Sequence, residues 1–245
     1  MGLRTLATLI TDQYERAARL YPALLALLPM LIMLTVVPVF SKPLTTQLLT
    51  LLGTCGAAYL LANMSRMLGK AREIKLFDKW GGIPTTQLLR HRNDFIDMHT
   101  KQRYHAFLAR KIKMEFPTAD AEGASPDVAD EIYRAGIKWL LGKTRDKKRY
   151  ALLFKENISY GFHRNGYGLR WIGMLFGLLS VLTLAIVFHV FTPETLQRLP
   201  TRHMVTMAIV LIITLAWTLY FSESRVKQAA FAYADMLLRT CDELK

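Results

Sequence analysis

Four stretches of the chain are almost free of charge: YPALLALLPMLIMLTVVPVF (21–40), TTQLLTLLGTCGAAYLLANM (45–64), WIGMLFGLLSVLTLAIVFHV (171–190) and HMVTMAIVLIITLAWTLYFS (203–222). A bilayer's hydrocarbon core takes about 20 residues of helix to cross. An isolated spanning segment must also satisfy its own backbone hydrogen bonds, so each stretch is expected to be a transmembrane helix. The stretches fall into two pairs with short connections, and a long mixed segment separates the pairs. The fold class this implies is all-α: an integral membrane protein with four transmembrane helices in two hairpins and a helical insert. The divisions are an amphipathic N-terminal segment (1–20), hairpin 1 (21–64), the insert (65–170), hairpin 2 (171–222) and a C-terminal helix (223–245).

The insert has helical periodicity and no useful strand alternation. Leu68, Ile74 and Phe77 extend the second membrane helix until WGGIP (80–84) breaks it. Pro84, Thr85 and Thr86 suit the start of a long helix to about Phe116, because proline and a capping hydroxyl are favoured at helix N-termini. Leu88, Leu89, Phe95, Ile96, Phe107, Leu108 and Ile112 form its apolar stripe. A polar loop is expected over 117–127, then helices over about 127–141 and 146–160. The stretch ENISYGFHRNGYGLR (156–170) follows, and Gly161, Gly166 and Gly168 are expected to turn the chain into the third membrane helix. The amphipathic tail from Glu223 to Glu243 is expected to extend the fourth helix and pack on the insert.

Charge sets the orientation. The chain carries 32 Lys+Arg against 19 Asp+Glu. The insert alone holds 22 basic and 12 acidic residues, while the basic residues of the hairpin connections are only Lys42 in one and Arg198 and Arg202 in the other. The excess of Lys and Arg on cytoplasmic loops places both termini and the insert in the cytoplasm. The first apolar run follows about twenty amphipathic residues with Arg16 and Arg19 and has no small-residue cleavage site, so it is not read as a signal peptide. Cys55 and Cys241 give no disulfide framework and no metal spacing.

Candidate chemistry is confined to three constellations. In KWGGIPTTQLLRHR (79–92), two glycines, a helix start, Thr85, Thr86, Arg90 and Arg92 are the parts of an anion cradle, without a P-loop's spacing. The same residues also make a plain helix stop followed by a capped helix start. The second is basic: Arg103, Arg110, Lys111, Lys113 and the cluster KTRDKKR (143–149) with Lys147, Lys148 and Arg149, near Tyr104, Phe107, Trp139 and Tyr150. Positive charge beside aromatic faces is how single-stranded nucleic acid is held; juxtamembrane Lys and Arg equally bind anionic lipid. In the third, Tyr160, Phe162 and Tyr167 suit the headgroup level, while Arg164 and Asn165 suit an anion site at the membrane face.

In the membrane runs, Thr214, Thr218 and Ser222 recur at i, i+4 and i+8 and are the candidate pore lining; Gln47, Thr50 and Thr54 form a shorter stripe. The same groups serve equally as interhelical hydrogen-bond donors, and Gly173 with Gly177 makes a close-packing GxxxG pair. No acid or base sits at mid-depth, which disfavours a proton-coupled pump. No catalytic motif, cofactor motif or metal-ligand cluster appears, and His91, His99 and His105 do not share a helical face at ligand spacing. The chain is not expected to be an enzyme or to need a cofactor.

WGGIPTTQLLRHR (80–92) and ENISYGFHRNGYGLR (156–170), each beside a membrane hairpin, resemble the membrane partners of bacterial anti-phage nucleotidyltransferase systems, of the Hailong type. The resemblance rests on those two stretches and the layout, about a tenth of the chain by motif. It implies a homo-oligomeric ion channel in the bacterial inner membrane. It also implies that the channel senses a nucleotide or short single-stranded oligonucleotide supplied by a nucleotidyltransferase partner, and that conduction arrests growth in antiviral defence. The residues alone support a basic module joined to helices able to form a pore. The competing expectation is a non-conducting scaffold or assembly factor whose insert binds anionic membrane lipids or a protein.

Overall fold

A computed structural model describes residues 2–36 and 43–244. Lys42 and the end of the first apolar run lie outside the described residues. The helices are α1 (Gly2–Thr11), α2 (Gln13–Glu15), a π-turn (Arg16–Leu20), α3 (Tyr21–Val36), α4 (Leu44–Trp80), α5 (Pro84–Leu89), α6 (Met98–Ile112), α7 (Ala119–Ala124), α8 (Pro126–Lys143), α9 (Ala151–Val187), α10 (Pro193–Gln197), α11 (Thr201–Leu219) and α12 (Glu223–Glu243). Among the described residues there is no strand. Four segments are long and apolar enough to cross a membrane: Gln13–Val36, Leu44–Leu89, Ala151–Val187 and Thr201–Leu219.

Two compact units result. One comprises Met1–Arg72 with Gly161–Val226, and the other Glu73–Tyr160 with Lys227–Lys245. The boundaries fall inside α4, α9 and α12, so the insert's unit starts at Glu73 rather than at residue 65, and it takes in the tail.

In the membrane unit, small residues let helices approach. Ala23, Ala26, Ala58 and Ala62 are buried with Leu27, Leu61, Leu169, Trp217 and Phe221. A Cβ on Gly173 would meet the Trp217 ring at 2.5 Å, and one on Gly177 would overlap the Thr214 hydroxyl. The closest approach is backbone on backbone: a Cβ on Gly168 would lie 2.5 Å from the Gly69 nitrogen. Helices of this length and apolarity, placed in lipid, have no strong hydrophobic drive between them, and such dispersion contact is what can associate them.

ENISYGFHRNGYGLR is therefore not a turn. It is the continuous first half of α9, and Gly161, Gly166 and Gly168 face Tyr14 and Ala18, Phe221, and Gly69 respectively. Their missing side chains make room for neighbours while the backbone stays helical.

The insert's unit differs from expectation at three further places. The long helix from residue 84 is two helices, α5 and α6. Asn93 Oδ1 accepts from the Phe95 amide, and Asp97 Oδ1 caps α6 by accepting from the Thr100 amide at 2.9 Å. Asn and Asp side chains offer the backbone this alternative to helix, and here it wins over an unbroken apolar stripe. The expected loop 117–127 contains α7, capped by Thr118. The tail is not an extension of α11: the chain breaks at Tyr220–Ser222, and α12 buries Ala234, Leu237, Leu238 and Cys241 in a core with Leu88, Leu108, Tyr133 and Leu140.

Candidate functional site

Of the predicted anion cradle, the structure keeps the parts together but turns them inward. Thr85, Thr86 and all of α5 are buried. Arg90 donates from Nε and Nη2 to the two Asp130 carboxylate oxygens at 2.8 and 2.5 Å, and from Nη1 to the Gly81 carbonyl at 2.6 Å. That fork-on-carboxylate geometry suits guanidinium particularly well and raises the Arg90 pKa, chiefly through the Asp130 hydrogen bond. Gly82, at φ +127°, must be glycine twice over: its conformation is left-handed, and a Cβ would reach within 2.7 Å of Arg90 Nη2. Arg92 is exposed beside this network.

Behind Arg90 lies a buried polar network that the sequence did not single out. Glu122, on α7, accepts from the His91 amide at 2.7 Å and from the Tyr133 hydroxyl at 2.7 Å. Burial favours its protonated form, but those bonds and the Arg92 amide outweigh burial and hold its pKa below the ordinary range. His105 is bonded through Nε2 to the Leu89 carbonyl at 2.7 Å and meets His91 edge-on. Burial drives its pKa down to about 4, against the opposing Leu89 hydrogen bond. Lys101 closes the turn after α5, donating to the carbonyls of Arg90 and Asn93. Burial lowers its pKa as well. The sequence reading missed this network because it took 117–127, the segment that carries Glu122, for a polar loop rather than a capped helix.

The basic loop between α8 and α9 is the part of the insert that stays open. Lys143, Arg145, Lys147, Lys148 and Arg149 are exposed, with Asp146 the single acid among them. Asp146 Oδ1 takes the Lys148 and Arg149 amides at 2.8 and 3.1 Å, so its charge serves the turn. Lys147 Nζ lies 4.9 Å from the Phe154 ring centroid, and the Arg149 guanidinium 5.4 Å from that of Tyr150.

Arg164 and Asn165 belong to the other unit. Both are buried; Asn165 Oδ1 accepts from Arg164 Nε at 3.1 Å, and its Nδ2 donates to the Ala18 carbonyl at 2.6 Å. Of the candidate pore residues, Thr214 is buried against Gly177 and donates to the Val210 carbonyl. Thr218 and Ser222 are half-exposed, and Thr218 donates to the Leu215 carbonyl. Gln47, Thr50 and Thr54, with Thr35, Leu31, Leu34 and Leu51, line a cavity of about 200 Å³ between α3 and α4. Among the described residues no His, Cys, Asp and Glu set is arranged to hold a metal ion.

Fold and site together define a class: an all-helical chain with four membrane-capable helices and a basic helical unit. No protein-family model, curated protein or solved structure matches it.

Proposed function

We propose that the chain is a homo-oligomeric membrane channel of the bacterial inner membrane, with both termini cytoplasmic, controlled by an anionic nucleotide or short single-stranded oligonucleotide. The observation that carries this reading is the 143–149 loop. Five cations are exposed there around one acid that caps its own turn, and two of the cations lie over aromatic rings. A phosphate backbone is held by such a field, and aromatic faces accept bases without regard to sequence. Arg90, Thr85 and Thr86 support the loop's unit from inside instead of touching ligand. In an oligomer, Thr218 and Ser222 have the exposure a pore lining needs, and Thr214 has not. The role in anti-phage defence and the nucleotidyltransferase source of the ligand come from the resemblance of the two motifs.

A ligand moves a gate only by its differential affinity for open and closed states. The test is therefore conductance in planar bilayers with and without short single-stranded oligonucleotides, for the wild type and for a Lys147→Gln, Lys148→Gln, Arg149→Gln variant. Ligand-dependent conductance lost in the variant supports the proposal; wild-type protein that never conducts removes it. The scaffold alternative is favoured by one observation: the hydroxyls of Thr214 and Thr218 are satisfied by their own helix.

A further inference from the structure

One buried hydroxyl of the insert's unit is kept from its usual partner. A threonine inside a helix commonly donates to the carbonyl four residues back. Thr50, Thr54, Thr144 and Thr214 all do so here. For Thr86 that carbonyl belongs to Gly82, and it accepts instead from Gln87 Nε2 at 2.5 Å. Thr86 is only 2% exposed, and its Oγ1 is buried without a hydrogen-bond partner. Such a hydroxyl costs its full desolvation, so its retention calls for something that completes it.

Thr86 lines a cavity of about 320 Å³ that lies wholly within the insert's unit. That volume falls at the lower end of small-molecule sites, about 300–1,000 Å³. The walls are apolar: Ile74 and Phe77 from the end of α4, and Ile83 from the turn before α5. Of the charged residues that line it, Asp130 is committed, because both its carboxylate oxygens accept from Arg90. Asp78 and Arg134 are exposed, and neither makes an ion pair among the described residues. Arg134 Nε donates to the Asp130 carbonyl at 3.2 Å, one turn back on α8. The cavity thus runs from a buried hydroxyl, between apolar walls, to a carboxylate and a guanidinium on its exposed side.

We propose that this cavity binds a small planar ring whose edge carries a hydrogen-bond donor next to an acceptor. A hydroxyl both donates and accepts, so Thr86 matches such an edge. The flat apolar faces of a ring suit Ile74, Ile83 and the Phe77 ring. An alkyl chain would leave Thr86 unbonded, and a sugar or a zwitterion would lose its water against apolar walls. Asp78 and Arg134 offer an acceptor and several donors to whatever the ring carries outward. Nucleobases and pyridine carboxamides share this chemistry. The site uses no residue of the 143–149 loop and needs no gated pore. Thr86 takes no part in holding the loop's oligonucleotide, so the two sites stand or fall separately.

The test is calorimetric titration of the full-length protein in detergent with uncharged probes, in about 0.5 M salt so that the basic loop is screened. The probes are adenosine, guanosine, cytidine, uridine and nicotinamide. The controls are ribose, which lacks the ring, and N,N-dimethylnicotinamide, which lacks the donor. Saturable binding of a nucleoside identifies a base as the ligand, and binding of nicotinamide alone identifies a carboxamide; neither control is expected to bind. Thr86→Val replaces the unpartnered hydroxyl with a methyl group, so it is expected to melt no lower than the wild type and to need about tenfold more probe. Asp78→Ala, at an exposed position, is expected to weaken binding severalfold. The proposal is overturned if no probe binds the wild type, if a control binds as well as the probes, or if Thr86→Val titrates unchanged. A Thr86→Val protein that melts lower would show the hydroxyl to be bonded within the fold, and would overturn it too. Ligand-gated conduction without probe binding would remove this site and leave the loop's role standing; probe binding without conduction would do the reverse.

Discussion

The two units solve the same problem, holding helices together, with opposite materials. In the membrane unit the contacts are made by absence: Gly69, Gly166, Gly168, Gly173 and Gly177 vacate the space that a neighbour's backbone or ring occupies. In the insert's unit they are made by a filled core and by buried polar groups that complete one another, with Glu122 bonded to the His91 amide and Tyr133, and Arg90 to Asp130. The difference follows from the solvent. Water rewards burying Leu88 and Leu140 and tolerates a polar network when every member is bonded. Lipid, which the first unit's helices are long and apolar enough to cross, rewards neither, and there close approach and dispersion decide.

The largest effect is expected where absence matters most. Gly168→Val places a branched side chain 2.5 Å from the Gly69 nitrogen and 2.9 Å from its Cα, and backbone cannot rotate aside as a side chain would. Overpacking into a side chain typically costs 1–3 kcal/mol; against backbone the two helices must separate, and we expect at least about 4 kcal/mol. Size-exclusion profiles after heating in detergent should show no folded Gly168→Val protein at temperatures where the wild type survives. A profile like the wild type would mean that α4 and α9 do not cross at these glycines.

The second unit is expected to break by protonation. His105 has its folded pKa near 4 because burial opposes its charge, against about 6.5 when unfolded. Its folded value is depressed, so its contribution is fully present above pH 6.5. Between pH 6.5 and 4 the unfolded chain binds a proton that the folded chain refuses, and stability falls. A shift of that size amounts to about 3 kcal/mol across the window. Glu122, also depressed, withdraws its contribution at lower pH still. Of the groups facing His105, His91 and Lys101 oppose its charging and Glu122 favours it. Chemical denaturation between pH 7 and pH 4 should show the loss, and His105→Phe should flatten most of it. An equally steep His105→Phe curve would place the titrating group elsewhere.

How much of this was legible beforehand depended on whether the signal was local. The four helices long and apolar enough to cross a membrane were, because charge-free runs need no partner to be recognised. The break between α5 and α6 was written in Asn93 and Asp97, but the apolar stripe running through them outweighed two capping residues. Glycine was the hardest to interpret. In GFHRNGYGLR the same three glycines that suit a turn also suit helix crossings, and only residues distant in sequence, Tyr14 and Ala18, Phe221, and Gly69, decide between them. Arg90 was singled out for a ligand anion, and the anion it meets in the structure is the chain's own Asp130, forty residues on. Asn165 was singled out for an anion site at the membrane face, and in the structure it is a buried donor to the Ala18 carbonyl of the π-turn. In each case the residue type announced its chemistry, and long-range packing chose the partner.

The smallest effect is expected at glycines that face nothing. A Cβ on Gly53 or Gly56 of α4 would meet no atom within 4 Å, in a stretch where Leu48, Leu49, Leu51 and Leu52 are all exposed. If glycine in this unit is kept only for close approach inside the protomer, these two are superfluous. Gly53→Ala and Gly56→Ala should then leave protomer stability unchanged or raise it by up to about 1 kcal/mol through helix propensity. Melting curves in detergent check that half of the comparison. Light scattering on the same samples checks the other half. A Gly56→Ala protein that melts like the wild type but has a smaller assembled mass would show that α4 is crossed at this face by a second copy, as Gly168 is crossed within one chain. An unchanged mass would leave this face of α4 without a second copy against it, and would move any pore lining in the proposed assembly to other helices.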